Sequence, residues 1–226
     1  MKNKTIAIIP ARGGSKRLPH KNIKLLNGLP LVAYSILYAK ANSDIINEVY
    51  VSTDDDAIKK IALQFGAMVI NRPVEISGDF EPTVSALKHV LESLSDDIEN
   101  VILLQPTSPL RPAALLKDAF ALFQNENCDS LFTVSRNQHK LGKITANKFV
   151  PFNYEIGQRS QDLEPLFYEN GLLYISKSDL IRNNTIISEK ALPLELNHVF
   201  VKVDIDTQED FEYAEYLYQK QVKLNS

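Results

Sequence analysis

Ile6-Ala7-Ile8-Ile9-Pro10-Ala11-Arg12-Gly13-Gly14-Ser15-Lys16-Arg17-Leu18-Pro19-His20-Lys21-Asn22 sets the reading of the whole chain. The apolar run at its start is short and uncharged, as expected of a strand buried on both faces of a parallel sheet. The loop that leaves it carries Gly13 and Gly14, which permit unusual dihedrals and let backbone N–H groups approach an anion. Arg12, Lys16, Arg17 and Lys21 supply positive charge, and the first forty-three residues hold eight Lys or Arg with no Asp or Glu. Such a loop is built for a multiply charged anion, of which a nucleoside triphosphate is the obvious small-molecule candidate. The spacing is neither a Walker P-loop, since Arg17 stands where Ser or Thr is needed, nor a G-x-G-x-x-G turn. A solvated turn with surface lysines is the alternative.

Outward from this loop, strand and helix patterns alternate. Strands are expected at residues 5–9, 48–52, 67–70, 101–104, 130–134, 171–176 and 199–203. Helices are expected at 30–41, about 56–65, 83–94, 113–123 and 208–220. Thr53-Asp54-Asp55-Asp56 reads as a helix cap and Gly66 as the stop of that helix. This order predicts an α/β fold with a doubly wound, mostly parallel sheet. Residues 136–169 break the pattern and read as a protruding insert within one domain spanning 1–226.

Ligands of such sheets sit beyond the carboxyl ends of the strands. The unusual residues fall there: the basic loop, then Gln105-Pro106-Thr107-Ser108-Pro109-Leu110-Arg111, then Asp204-Ile205-Asp206. The prolines of the second segment make it rigid and polar, suited to orienting a hydroxylated substrate. If residues 199–206 continue as a strand, Asp204 and Asp206 share its less apolar face. Two neighbouring carboxylates suit a hard cation such as Mg²⁺ that also keeps waters and phosphate oxygens. A strand-to-helix corner, with Thr207 as N-cap and Glu209 and Asp210 in the first turn, is equally compatible with the spacing, and Asp210 needs only that corner.

Composition narrows the classes. The 226 residues are 44% hydrophobic and 23% charged, with a net charge of −3, which argues against general nucleic-acid binding. The single cysteine, Cys128, cannot form an internal disulfide, and no Cys/His set has zinc spacing. No apolar run reaches the ~20 residues of a membrane span. The absence of a signal-peptide pattern makes the cytoplasm the expected location. The residues by themselves point to a Mg²⁺-dependent enzyme acting on a nucleoside triphosphate, with nucleotide and acceptor open.

Residues 6–22 (IAIIPARGGSKRLPHKN), Val51-Ser52-Thr53-Asp54-Asp55, Arg72-Pro73, QPTSPLR at 105–111, Asn170-Gly171 with Tyr174-Ile175, and Asp204-Ile205-Asp206-Thr207 occur in order along nearly the full chain. Together they resemble the CMP-sialic acid synthetase (N-acylneuraminate cytidylyltransferase) family. The resemblance implies a Rossmann-like nucleotidyltransferase that joins CTP to a free nonulosonic acid, releasing pyrophosphate. The sugar's anomeric hydroxyl attacks the α-phosphate in line. It further implies that Arg12, Gly13, Lys16, Lys21 and Asn22 hold the nucleotide, with Lys21 near the α-phosphate and Lys16 toward the leaving phosphates. Arg72 and Thr83 fall at base-reading positions. Gln105, Arg159, Asn170 and Tyr174 fall at sugar-contacting ones. Asp204 and Asp206 match the pair that binds Mg²⁺ or Mn²⁺. A homodimer is implied, with the 136–169 insert reaching over the partner's site.

The chain departs from the family pattern in three places. Gly78–Thr83 has fewer small hydroxyl residues than usual. The stretch before Asn170 is one residue longer than the commonest spacing. Leu172 and Leu173 replace a smaller pair, which points to a pocket shaped for another nine-carbon acid, such as pseudaminic or legionaminic acid. A relative activating the eight-carbon Kdo and a non-catalytic nucleotide-binding relative are the alternatives.

Overall fold

Ile6, Ile8, Ala7 and Ile9 are fully buried, and their alternation divides the core. Ala7 and Ile9 face one hydrophobic layer while Ile6 and Ile8 face another. Both faces of this strand are therefore covered, as the uncharged run requires. The computed structural model describes residues 4–95 and 97–225; residues 1–3, 96 and 226 of the expected 1–226 domain lie outside the described residues.

Eleven strands and six α-helices follow in chain order among the described residues. They are β1 (Lys4–Pro10), β2 (Leu25–Leu26), β3 (Leu29–Pro30), α1 (Leu31–Ala41), β4 (Glu48–Thr53), α2 (Asp56–Gln64), β5 (Met68–Asn71) and α3 (Thr83–Glu92). Next come β6 (Ile98–Leu103), α4 (Leu115–Asn125), β7 (Ser130–Arg136), β8 (Gly142–Thr145), β9 (Lys148–Pro151), β10 (Phe167–Lys177), α5 (Ser178–Arg182), β11 (Leu192–Glu195) and α6 (Gln208–Asn225). The main sheet has the order β11-β7-β10-β6-β1-β4-β5. Its pairs are parallel except those of β10, which runs antiparallel to both β6 and β7. The fold is thus the expected α/β class with a mostly parallel, doubly wound sheet. The antiparallel β10 matters for the site because it carries Asn170, Gly171 and Tyr174 back along the strand ends.

Helices α1, α2 and α4 cover one face through Val32, Ile36, Ile58, Ala62, Leu116 and Phe123. On the other face lie α3 and α5, through Leu87, Val90, Leu91 and Ile181. Each such aliphatic side chain contributes about 1.5–3 kcal/mol on burial. A third cluster packs α6 (Phe211, Ala214, Leu217) on Leu18, Leu26, Leu31 and Leu110. It anchors the basic loop at Leu18 and the 105–111 segment at Leu110. The expected helix from Pro30 starts one residue later, with Pro30 as its N-cap.

One expected strand is overturned. Residues 199–203 do not pair with the sheet; Val199–Lys202 forms a 3₁₀ turn instead. His198 Nδ1 accepts from Phe200 N at 3.2 Å, and Phe200 docks into the α6 cluster. The edge position is taken by β11, parallel to β7, where Pro193 is tolerated because an edge strand has a side without ladder bonds. Chain beyond the 3₁₀ turn keeps an in–out alternation: Val203 and Ile205 are buried, Asp204 is exposed and Asp206 is half-buried. Ile205 N donates to Thr107 O at 2.8 Å, which lays the acidic pair against the 105–111 segment.

Within residues 136–169, β8 and β9 form a separate antiparallel hairpin. It bears Ile144, Phe149 and Phe152, which are 80%, 54% and 65% exposed.

Candidate active site

The Gly-bearing loop is fixed from below by the end of β4. Asp55 caps α2, its Oδ1 accepting from Ile58 N at 2.9 Å. Asp54 Oδ1 accepts from Gly13 N at 2.9 Å. Gly13 is required by contact: a Cβ there would lie 2.7 Å from Asp55 Oδ2 and 2.9 Å from Asp55 Cβ. Asn22 is buried and donates from Nδ2 to Arg12 O at 2.9 Å, closing the loop on itself. A 3₁₀ turn, Lys21–Ile23, follows His20 in the left-handed region and points Lys21 inward.

Lys21 is 8% exposed, and its Nζ donates to Ile205 O and Asp206 Oδ1, each at 2.8 Å. Arg17 Nη2 meets the other oxygen of Asp206 at 2.6 Å. Asp206 thus ties the basic loop to the start of α6. That start is a capping box: Asp210 Oδ2 accepts from Thr207 N at 2.8 Å and Asp206 N at 3.0 Å, and Thr207 Oγ1 accepts from Asp210 N at 3.2 Å. These bonds hold the Asp210 carboxyl below its usual range despite its partial burial, so Asp210 serves the corner.

Asp204 differs from its neighbour. Although the residue as a whole is exposed, its carboxyl is partly shielded from water by its neighbours; that desolvation pushes it up and the Asp206 charge adds to this, while a hydrogen bond from Thr107 and the Lys21 charge oppose it. A carboxylate that is costly to ionise in the ligand-free chain, beside a second carboxylate, fits a hard cation. No group of three His, Cys, Asp or Glu residues forms a metal cage among the described residues. Two carboxylates alone would leave most of a hard cation's shell to water and phosphate oxygens.

Four segments meet around a cavity of about 240 Å³ lined by Arg12, Arg72, Asp79, Thr83, Gln105 and Thr107, among others. Arg72 is held by β4, donating from Nε to Ser52 Oγ (3.1 Å) and from Nη2 to Ser52 O (2.7 Å). Its Nη1 has no hydrogen-bond partner among the described residues. Burial lowers its pKa to about 10. Thr83 opens α3 on the opposite wall.

Gln105 extends toward β10: its Oε1 lies 3.0 Å from where a Cβ on Gly171 would sit, and Gly171 has φ +73°. Asn170 and Gly171 fall in an irregularity inside β10, where its pairing with β7 shifts register between Glu169 and Tyr174. Asn170 is buried and internally satisfied: Thr133 Oγ1 donates to its Oδ1 at 2.6 Å, and its Nδ2 donates to Ser135 Oγ at 3.0 Å. Its side chain fixes the β7–β10 junction. Tyr174 donates its hydroxyl to Glu169 Oε2 at 3.2 Å; burial first, then the charges of Glu169 and Asp204, push its pKa up. Arg159 is not brought to these residues: it is 75% exposed in the insert and paired with Asp162 at 2.8 Å.

The sequence reading missed several residues. Asp79 reaches Arg12 at 2.8 Å and Lys16 at 2.5 Å, so the acid-free loop is not acid-free in space. Thr107 and Arg111 lay inside the quoted 105–111 segment without assigned roles. Arg111 is buried and donates to Leu172 O (2.7 Å), Gln105 O (2.8 Å) and Ser35 Oγ (3.1 Å).

A doubly wound sheet with a cationic Gly loop, an arginine-walled cavity and a carboxylate pair at its strand ends belongs to the α/β class whose ligand sites lie beyond the strand ends. More narrowly, the chain belongs to the cytidylyltransferase family, whose sequence profile matches residues 6–226. It is 33% identical over 216 residues to the N-acylneuraminate cytidylyltransferase of Streptococcus agalactiae, covering 92% of this chain and 52% of that protein. The chain thus spans about half the length of that relative. It is 32% identical over 225 residues to the pseudaminic acid cytidylyltransferase of Campylobacter jejuni, covering 96% and 97%. Among solved structures, the CMP:2-keto-3-deoxy-manno-octonic acid synthetase complexed with CTP superimposes with a TM-score of 0.74 at 17% identity, covering 97% of this chain and all of that one. That likeness shows the shared fold. No helix among the described residues is long and apolar enough to cross a membrane.

Proposed function

We propose that this protein is a cytidylyltransferase that activates a free nonulosonic acid with CTP, giving the CMP-sugar and pyrophosphate. The observation that carries this reading is the shared cavity. It gathers Arg12, Arg72, Thr83 and Gln105 from four segments, each matched to a nucleotide or sugar position, and Thr107 on its wall accepts from Ile205 N, between Asp204 and Asp206. Nucleotidyl transfer depends mainly on positioning and charge neutralisation, and the site offers both.

In this reading Arg72, braced on Ser52, presents its free Nη1 to the base, with Thr83 opposite. Arg12 and Lys16 take the leaving phosphates. Lys21 lies toward the α-phosphate, and the backbone N–H groups of the Gly loop complete the cradle. Gln105 and the β10 backbone at Gly171 position the sugar, with Tyr174 behind them. Asn170 acts through the β7–β10 junction. The anomeric oxygen forms the new bond to the α-phosphorus as the bond to the bridging oxygen of pyrophosphate breaks, and the hydroxyl proton leaves to solvent. A divalent cation, Mg²⁺ or Mn²⁺, held through Asp204 and Asp206, supplies further neutralisation of the triphosphate. Lys21 and Arg17 already occupy oxygens of Asp206, which makes Asp204 the more available ligand.

Sialic, pseudaminic and legionaminic acids share the required carboxylate and anomeric hydroxyl, and the acceptor class is drawn at that level. The 136–169 insert, with its exposed apolar hairpin and exposed Arg159, fits a dimerisation lobe that brings Arg159 to the partner's site. A cytoplasmic location accords with a CTP-consuming reaction. The test is to incubate the purified protein with CTP, Mg²⁺ and a panel of free nonulosonic acids plus Kdo, following pyrophosphate. Release with one or more nonulosonic acids, abolished by a chelator, is expected. Absence of release with every member would overturn the proposal.

A further inference from the structure

Gly78, Asp79, Glu81 and Pro82 line the nucleotide cavity, and residues 78–82 are exposed, while Ser77 before them donates its hydroxyl to Pro73 O at 2.9 Å. Phe80 is fully exposed, Glu81 is exposed, and nothing lies within 4 Å of a Cβ built on Gly78. What ties this segment to the basic loop is charge. Asp79 Oδ1 meets Arg12 Nη2 at 2.8 Å, Asp79 Oδ2 meets Lys16 Nζ at 2.5 Å, and Arg12 Nη1 reaches Ser77 O at 3.4 Å. Lys16 is 82% exposed, and Asp79 is its ion-pair partner among the described residues.

We propose that Asp79 is a specificity-determining residue of the nucleotide site, a resident anion that competes with polyphosphate for Arg12 and Lys16. The inference rests on the nucleotide reading given above. One carboxylate engages both cations that the leaving phosphates need, so carboxylate and polyphosphate exclude each other. A ligand requiring Arg12 and Lys16 binds only the fraction of molecules in which Asp79 has let go, and its affinity falls by that fraction. A monophosphate that reaches no farther than Lys21 does not meet this competition, because Lys21 is paired with Asp206 instead. Asp79 thereby lowers affinity for CTP and for pyrophosphate by one common factor. After transfer it returns to the same two cations as pyrophosphate departs, which opposes product retention. The Lys16 hydrogen bond, then the Lys16 and Arg12 charges, hold the Asp79 carboxyl below its usual range, so the competitor is ionised at working pH.

Titration calorimetry of wild type and Asp79→Asn with CTP, pyrophosphate and CMP, in one magnesium-containing buffer, tests this. Glu75→Gln, the same charge change in the neighbouring 3₁₀ turn, is the control. In Asp79→Asn, CTP and pyrophosphate are expected to bind about 3- to 10-fold tighter, the range for two accessible ion pairs. CMP affinity and the Glu75→Gln values should stay within about twofold of wild type. Unchanged or weaker binding of pyrophosphate by a variant with a wild-type thermal melt overturns the proposal, as does an equal gain for CMP. Asp79→Ala repeats the measurement should the Asn variant misfold. If the wild type binds pyrophosphate but no cytidine nucleotide, the functional reading fails while the Asp79 comparison still decides this inference. If it turns over CTP and Asp79→Asn leaves pyrophosphate binding unchanged, this inference alone falls.

Discussion

Replacing Arg111 with Met should destabilise the protein and loosen the sugar half of the site together. Arg111 is buried with no Asp or Glu paired to it among the described residues; its partners are neutral oxygens of Leu172, Gln105 and Ser35. Its guanidinium also lies 5.6 Å from the centre of the Tyr38 ring. Three hydrogen bonds from a charged donor are worth roughly 5–9 kcal/mol gross. Against this stands the burial of the cation, which depresses its pKa to about 10 and at 1.36 kcal/mol per unit costs about 3 kcal/mol. The methionine variant loses the bonds and is relieved of the burial cost, so the expected net loss is roughly 2–6 kcal/mol. Lysine should not rescue it, since a compact ammonium cannot reproduce the planar fork and is harder to dehydrate. Urea unfolding measures the loss. The KM for the sugar acid should rise in parallel, because Gln105 O and Leu172 O flank the side chains and backbone assigned to the sugar in the proposed function. A change below about 1 kcal/mol for Arg111→Met would refute the assignment of these bonds as net stabilising.

Two further substitutions probe the strand ends. Gly171→Ala introduces a side chain at φ +73° and 3.0 Å from Gln105 Oε1, so a loss of about 1–3 kcal/mol is expected. The sugar KM should rise while CTP affinity holds; a rise in the CTP KM instead would contradict the placement of Gly171 on the acceptor side. Asp204→Asn should abolish turnover yet leave the melting temperature at neutral pH at or slightly above that of wild type, a small gain because the residue is exposed to screening solvent. The sign follows from burial and the Asp206 charge, which raise the folded-state pKa of Asp204 above its unfolded value. The folded chain then binds the proton more tightly, and stability falls as pH rises through the raised pKa. The variant cannot ionise, so its advantage should fade toward acid pH, and a lower melting temperature than wild type at neutral pH would sink this account.

The sheet was legible because its central strands are buried on both faces. Residues 5–9, 48–52 and 101–104 could be read from the apolar runs 6–9, 49–51 and 101–104 that they contain. What composition did not reveal was direction. Nothing in 171–176 says that β10 inserts antiparallel between β6 and β7, because a strand flanked on both sides reads alike in either sense. The 199–203 error has a different origin. Its alternation is real, but alternation records which side chains are buried and not which backbone groups pair. Phe200 found its burial against α6 and His198 capped the turn, so the ladder went to Leu192–Glu195. Asp204 and Asp206 still lie against the 105–111 segment, because Ile205 N reaches Thr107 O without the help of a strand.

The least legible property was charge balance at the nucleotide loop. A count along the chain finds no acid near Arg12–Lys21, yet Asp54 meets Gly13 from 41 residues away and Asp206 meets Arg17 from 189 residues away. Asp79 adds a third carboxylate. The ligand-free loop is thus a set of satisfied ion pairs and not a bare positive field. This changes what recognition of a polyphosphate consists of. Binding to a bare field gains most from long-range attraction and weakens steeply with salt. Exchange of one anion for another weakens less, because salt screens the outgoing pair as well as the incoming one. The affinity of the wild-type protein for pyrophosphate should therefore fall less steeply with added salt than that of Asp79→Asn. Equal slopes would mean that Asp79 does not leave Arg12 and Lys16 when pyrophosphate binds.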